Sequence, residues 1–188
     1  MKGLDIDMTF AKCVSERRSI RKYRAEDIPD EVLAKVIKDA SYAPSWKNSQ
    51  TTRYIVIKDD ALKAEIAQTC MMDFKHNHDI VMNAPVLILV TTIKSRSGYE
   101  RDGSLSTGLG THWESFDAGI ATQTLCLSAH SNDLGTVILG IFNTDKVVRA
   151  AKVPEGQKLS ALVAIGYPDE SPDMPKRKGT DELIDYRR

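Results

Sequence analysis

Residues Trp113 to His130 are the stretch that most limits how this chain can fold. Phe116, Ala118, Ile120, Ala121, Leu125, Leu127 and Ala129 place apolar or small side chains on most sides of a helix. Such a helix has no face to give to water, so it must lie at the centre of a domain or between two copies of the chain. Asn132 to Gly135 supply residues that tolerate left-handed geometry and end it.

The other elements are arranged around that helix. Phe10, Cys13 and Val14 predict a first helix over about residues 8 to 16, capped by Asp7 or Thr9. Pro29, Asp30 and Glu31 open a second, with Val32, Leu33, Val36, Ile37 and Ala40 on its apolar face, stopping before Pro44. Tyr54 to Ile57 reads as a strand, and Asp59 caps a short helix through Leu62, Ile66 and Ala67. Residues 71 to 83 are polar and carry no decisive pattern. Ala84 to Val90 is a nearly unbroken apolar run, as in a strand buried on both faces. Ser95 to Gly110, with glycines at 98, 103, 108 and 110, reads as a lid or a plain flexible loop. Val137 to Gly140 is expected to be an apolar turn, Thr144 to cap a short helix, and Leu159 to Gly166 to form the last core strand. The tail from Tyr167 to Arg188 is polar and needs something to lean on.

A chain of 188 residues leaves room for one domain, residues 1–188. Lys+Arg and Asp+Glu both number 26, so no global field draws in nucleic acid or an anionic membrane. No apolar run is long enough for a membrane-spanning helix and no secretory pattern opens the chain, which gives the cytoplasm as the expected location. Cys13, Cys70 and Cys126 form no Cys-x-x-Cys pair and suit a reducing compartment. His76-x-His78 lacks the further ligands of a metal site, so no metal is expected.

Against that neutral background, five of the eight residues from Arg17 to Arg24 are cationic: Arg17, Arg18, Arg21, Lys22 and Arg24. Adjacent arginines offer forked donors that match phosphate oxygens, and Ser19 adds a short hydroxyl. A solvated face, or a contact with RNA or a phosphoprotein, is the competing reading. Ala43 to Gln50 is a loop dense in hydrogen-bonding side chains that also carries Trp46, a combination suited to a ligand or partner surface as well as to a core anchor. Gly108-x-Gly110 is followed by Trp113 where a dinucleotide fingerprint needs its third glycine, so no such fingerprint exists.

Four separated segments together resemble the FMN-dependent nitroreductase family: Glu16 to Tyr23, Ala43 to Gln50, Asp117 to Gln123, and Ile165 to Pro168 leading to Lys176-Arg177-Lys178. The resemblance implies an α+β, three-layer α-β-α fold with a mainly antiparallel central sheet. It also implies an intertwined homodimer with two FMN sites at the subunit interface, residues 167–188 packing on the partner subunit. By motif, Arg17, Arg18 and Ser19 would hold the FMN phosphate, Arg177 would close on it, and Arg21 would face the pyrimidine edge. Pro44, Ser45, Trp46, Asn48 and Gln50 would reach the cofactor from the partner. Ile138, Leu139 and Gly140 would line the flavin, with an amide of Leu139 or Gly140 directed at N5. The implied activity is ping-pong reduction of a small-molecule acceptor, a nitroaromatic or quinone, by NADH or NADPH. The chemistry lies on FMN, so no catalytic side chain is implied. A flavin reductase or a reductase of one specific metabolite is the alternative within the same fold. Thr51-Thr52 stand where many members have Pro-Trp, and Asp79-Ile80-Val81 where larger members place a lysine.

Overall fold

The computed structural model describes residues 9–188. Four strands, β1 (Thr52–Ile57), β2 (Val86–Ile93), β3 (Gly135–Leu139) and β4 (Gln157–Gly166), form one sheet in the order β1-β2-β4-β3, every pair antiparallel. Side chains alternate across a strand, and β2 and β4 are apolar on both faces. Leu87, Leu89, Leu162 and Ala164 join one core with α3 (Asp60–Cys70), α4 (Lys75–Asn83) and α6 (Thr144–Ala150). Val86, Ile88, Val90, Val163 and Ile165 join another with α2 (Asp30–Ala40) and α5 (His112–Ser131). The result is the three-layer α-β-α arrangement that the sequence motifs imply.

Local signals set several boundaries. Thr9 accepts from the Lys12 amide and starts α1 (Phe10–Glu16), while Asp7, the other expected cap, lies outside the described residues. Asp59 accepts from the Leu62 amide at 2.6 Å and starts α3. The side chain that caps α6 is Asn143, accepting from Lys146 N at 3.0 Å, one residue before the expected Thr144. The region without a pattern contains α4. A larger correction concerns Val137 to Gly140: Val137, Ile138 and Leu139 are the end of β3, not a turn, and pair with Ala164, Val163 and Leu162. Four apolar or β-branched residues, Thr136 to Leu139, beside a long partner strand are better satisfied by a ladder than by a turn.

The segment after α1 is drawn alongside β3. Ser19 bridges Thr136 in parallel fashion and the Ile20 amide donates to Thr136 O at 3.0 Å. Ile20 and Tyr23 point into the core, while Arg21 and Lys22 stay exposed. Gly135 makes this approach possible, since a Cβ there would stand 2.6 Å from Ile20. The buried Tyr23 hydroxyl lies within hydrogen-bond reach of the Ile20 and Ala164 carbonyls, and burial pushes it well above the ordinary tyrosine range. The root of the tail is zipped to the same segment through Arg24 N to Tyr167 O and Asp169 N to Lys22 O.

α5 is central in a qualified sense. Ala118, Ala121, Leu125, Cys126 and Ala129 are buried against the sheet and α2, but Phe116 is 59% exposed and Gly119 and Gln123 face outward beside it. Among the described residues of one chain, one stripe of the helix has no protein cover.

Candidate functional site

With Ile20 and Tyr23 turned into the core, the basic side chains between and before them are left to face a trough at the edge of the sheet. Its first part is a cavity of about 300 Å³ lined by Arg17, Arg18, Ser19, Arg21, Pro172, Asp173, Pro175 and Arg177. Two basic clusters more than 150 residues apart in sequence thus meet at one place. Among the described residues no carboxylate forms an ion pair with Arg17, Arg18, Arg21 or Arg177, although Asp173 stands at the rim. Arg18 donates to the Ser15 and Arg17 carbonyls at 2.6 and 3.0 Å, closing the end of α1, and the Arg21 amide donates to Glu170 at 2.6 Å. A guanidinium carries five donors, so these contacts leave several of them for an anion.

From Arg17, Ser19 and Arg21 the trough passes a second cavity lined by Gln123, Cys126, Thr136, Val137 and Ile138. Burial raises the Cys126 thiol, with a hydrogen bond to Thr136 and the charge of Arg17 acting against it. Such a cysteine is a neutral wall, not a nucleophile. A third cavity continues from Arg21 over Val137 to Ile141 and ends at His76, Asn77 and Ile80 of α4. Ile138 presents an apolar side chain, 49% exposed, whereas Leu139 is buried and can offer this surface only its backbone. Gly140 has open space above it, with nothing within 4 Å of where a Cβ would stand. Asn77 is held in place by donating to Ile141 O at 3.0 Å.

The trough therefore runs from a cationic pocket, past hydroxyl and amide side chains, to a flat apolar edge with polar groups at its far wall. Phosphate, polyol and ring of a flavin mononucleotide have this order of chemistry, and the residues present fit it.

The amide-rich loop lies elsewhere. Pro44, Ser45 and Gln50 line a different cavity, of about 360 Å³, together with Ile37, Tyr54, Asp117 and other residues of α2, β1 and α5. No residue lines both this cavity and the trough. Trp46 packs its ring on Trp113 at 4.6 Å, and Asn48 is exposed. Thr51, where Pro-Trp is common, is 2% exposed and its hydroxyl finds no partner among the described residues. Sequence patterns do not assign His76, Asn77 or Thr136 to this trough. His76 and Asn77 fall in the stretch without a decisive pattern, and Thr136 is concealed as long as the residues after it are expected to form a turn. Gln123 stands out only as the last letter of a motif.

The fold and the trough define a flavoprotein-like α+β class, and the comparisons make that specific. The chain matches the model of the nitroreductase family over residues 14–79 and 73–167, and it belongs to that family. A candidate NADH dehydrogenase/NAD(P)H nitroreductase from Methanothermobacter thermautotrophicus is 29% identical over 186 residues, spanning 96% of this chain and 85% of that protein. Iodotyrosine deiodinase from Thermotoga neapolitana is 25% identical over 191 residues, spanning 91% and 94%. Among solved structures, a nitroreductase family protein from Clostridium novyi NT superposes with a TM-score of 0.75 at 31% identity, covering 93% of this chain and 91% of that one. A candidate nitroreductase in complex with FMN from Desulfovibrio desulfuricans gives 0.71 at 26% identity, covering 95% and 96%.

Proposed function

We propose that this protein is an FMN-dependent oxidoreductase that uses NADH or NADPH to reduce nitroaromatics, quinones or similar electron-poor small molecules, the two substrates taking turns at one site. The observation that carries this reading is the continuous trough from the four arginines to the β3 edge. FMN in complex with a 26% identical relative, and NAD(P)H in the names of others, support the choice of cofactor and co-substrate.

Bound in the trough, FMN would supply two-electron transfer between nicotinamide and acceptor. The chain's own residues do the rest. Arg17, Arg18, Ser19 and Arg177 hold the phosphate, and Gln123 and Thr136 offer polar groups to the polyol. Ile138 and the backbone of Leu139 and Gly140 form the floor beneath the ring. Arg21, together with His76 and Asn77 at the far wall, places positive charge and donors where negative charge develops at the ring edge on reduction. No acid-base pair is required of the protein.

The amide loop lines a cavity separate from this trough within the same chain, and among the described residues Phe116, Gly119 and Gln123 of α5 are uncovered. Both features support a homodimer in which Pro44, Ser45, Trp46, Asn48 and Gln50 of one copy serve the trough of the other. Trp46 contributes there mainly by anchoring the loop on Trp113. The tail's Pro172 to Arg177 stretch lies against its own Arg17 to Arg21, so packing of 167–188 on the partner would involve the exposed residues beyond it. Among the described residues no helix is long and apolar enough to cross a membrane, and the reading needs neither a membrane nor nucleic acid.

A second reading within the same chemistry is reduction of one particular aromatic metabolite, favoured by relatives named iodotyrosine deiodinase in animals and in Thermotoga neapolitana. Absorption spectra of the purified protein before and after NADH or NADPH test the shared chemistry. A flavin band that bleaches with nicotinamide and returns with acceptor is expected. Turnover of a panel of nitroaromatics, quinones and halogenated phenols then separates the two readings. A protein that takes up no FMN and retards RNA would overturn both.

A further inference from the structure

The motif that ends at Gln123 begins at Asp117, and the trough makes no use of that first residue. Asp117 is 2% exposed, and among the described residues no cation is paired with it. A buried carboxylate is costly unless hydrogen bonds satisfy it. Two do, and both converge on one oxygen. Oδ2 accepts from the Trp46 backbone N–H at 3.0 Å and from the Ser97 hydroxyl at 2.7 Å. The donors come from the two loops that flank this end of α5.

The first of those loops is held in an unusual shape. Lys47, Asn48 and Gln50 have φ of 44°, 53° and 47°, three non-glycine residues in the left-handed region within four positions. Each such residue is strained and persists only where its surroundings over-determine it. Here the surroundings are visible. The Ser45 hydroxyl accepts from Gln50 N at 2.9 Å, Trp46 packs on Trp113 with the rings tilted by 50°, and Lys47 reaches Glu100 in the glycine-rich segment at 2.8 Å. That segment is fastened in turn by Ser95 N to Glu114 at 2.8 Å and by the Trp113 indole N–H to Thr107 at 3.0 Å. Asp117 is the one buried carboxylate among the described residues that accepts hydrogen bonds from both loops at once.

We propose that Asp117 is the positioning residue that fixes the amide loop in its strained shape and seats the 95–110 segment against it. Ser45, Asn48 and Gln50 are thereby presented, already ordered, to the cofactor of a second copy. This rests on the reading that the loop serves the partner's trough. A loop released from Asp117 would have to be ordered on binding, and affinity for FMN would fall by that cost.

The test uses the holoprotein with three sets of variants: Asp117→Ala, Asp117→Asn, and Ser45→Ala with Asn48→Ala. Two quantities are measured, the FMN dissociation constant and the circular-dichroism couplet of the chain's two tryptophans. Because Trp46 and Trp113 are its only tryptophans, the couplet reports directly on whether the loop is seated. Asp117→Ala is expected to raise the dissociation constant about tenfold, two hydrogen bonds at about threefold each, and to abolish the couplet. Asp117→Asn keeps an oxygen that can accept both bonds and is expected to restore both readings. A lowered melting temperature with unchanged affinity and couplet in Asp117→Ala would overturn the proposal, as would failure of Asp117→Asn to rescue. If Asp117→Ala does not fold, Ser97→Ala removes one of the two ties alone. It is expected to weaken FMN about threefold, and unchanged binding there would overturn the proposal too. If Ser45→Ala with Asn48→Ala leaves affinity intact, the reading of the loop falls and the inference falls with it. If that variant weakens binding and Asp117→Ala does not, the inference alone is wrong.

Discussion

The arginine end of the trough and the amide loop are both rich in donors, yet they are built by opposite means. The arginine end is relaxed. The burial of Ile20 and Tyr23, one backbone bridge from Ser19 to Thr136 and a glycine at 135 bring the guanidinium groups together in one chain. The amide loop is strained, with three left-handed residues held by a carboxylate on α5, and it shares no lining residue with the trough. Charge can be gathered by any extended segment that runs along a sheet edge. Directional hydrogen bonding to a ring edge from another chain needs a loop whose shape is set beforehand.

The contrast can be broken most severely at the arginine end. Arg17→Ala with Arg18→Ala removes two charge-assisted contacts at ~1.5 to 3 kcal/mol each, so FMN binding should weaken by about 3 to 6 kcal/mol. Fluorescence titration measures the loss. The melting temperature of the apoprotein should fall only slightly, by the loss of Arg18's ties to the Ser15 and Arg17 carbonyls, because both side chains are partly exposed. Gly135→Ala attacks the scaffold instead. A methyl 2.6 Å from Ile20 should cost ~1 to 3 kcal/mol of stability and displace Ser19, lowering both the melting temperature and FMN affinity. At the amide loop the effects should be smaller. Asn48→Ala, at an exposed position, should weaken FMN by about 0.5 to 1.5 kcal/mol and lower stability slightly, since alanine tolerates a φ of 53° less well than asparagine.

The smallest effect is a pH dependence behind the arginine end. Burial chiefly, with help from Arg17 and Arg18, depresses the His130 pKa in the folded state, while Glu16 and Asp133 pull the other way. The unfolded chain then binds a proton at higher pH than the folded one. This contribution to stability is present above the ordinary histidine value of about 6.5 and is lost as pH falls through the folded value. Urea melts across that range should show the decline, and the Arg17→Ala with Arg18→Ala variant should show a shallower one.

The two regions also differ in how far the sequence reveals them. The cationic run and the polar tail are compositional features, so the amino-acid order alone marks Arg17, Arg18, Ser19, Arg21 and Arg177 as anion-binding candidates. That they share one cavity follows from chain topology, which only the fold supplies. β2 and α5 are legible because their apolar patterns are long. β3 is not: five residues give too few repeats to tell a strand from a turn, and its far neighbour β4 decides the matter. His76 and Asn77 are hidden because α4 is short and polar, and only Asn77, Ile80 and Val81 of its residues are buried. Asp117 is visible as a motif letter, but its two partners, 71 and 20 positions away, cannot be paired with it from sequence.

The central claim is that each trough takes its arginines from one copy and its amide loop from the other. Mixed dimers test it most directly: one chain carrying Arg17→Ala with Arg18→Ala, the other Ser45→Ala with Asn48→Ala. If the loop serves the other copy, one site of the mixed dimer combines all four changes and the second keeps every native group. FMN titration should then give one site per dimer at wild-type affinity. If no site in the mixed dimer reaches wild-type affinity, the loop acts within its own chain, and the account is wrong; a Ser45→Ala with Asn48→Ala homodimer that binds FMN like wild type would contradict it as well.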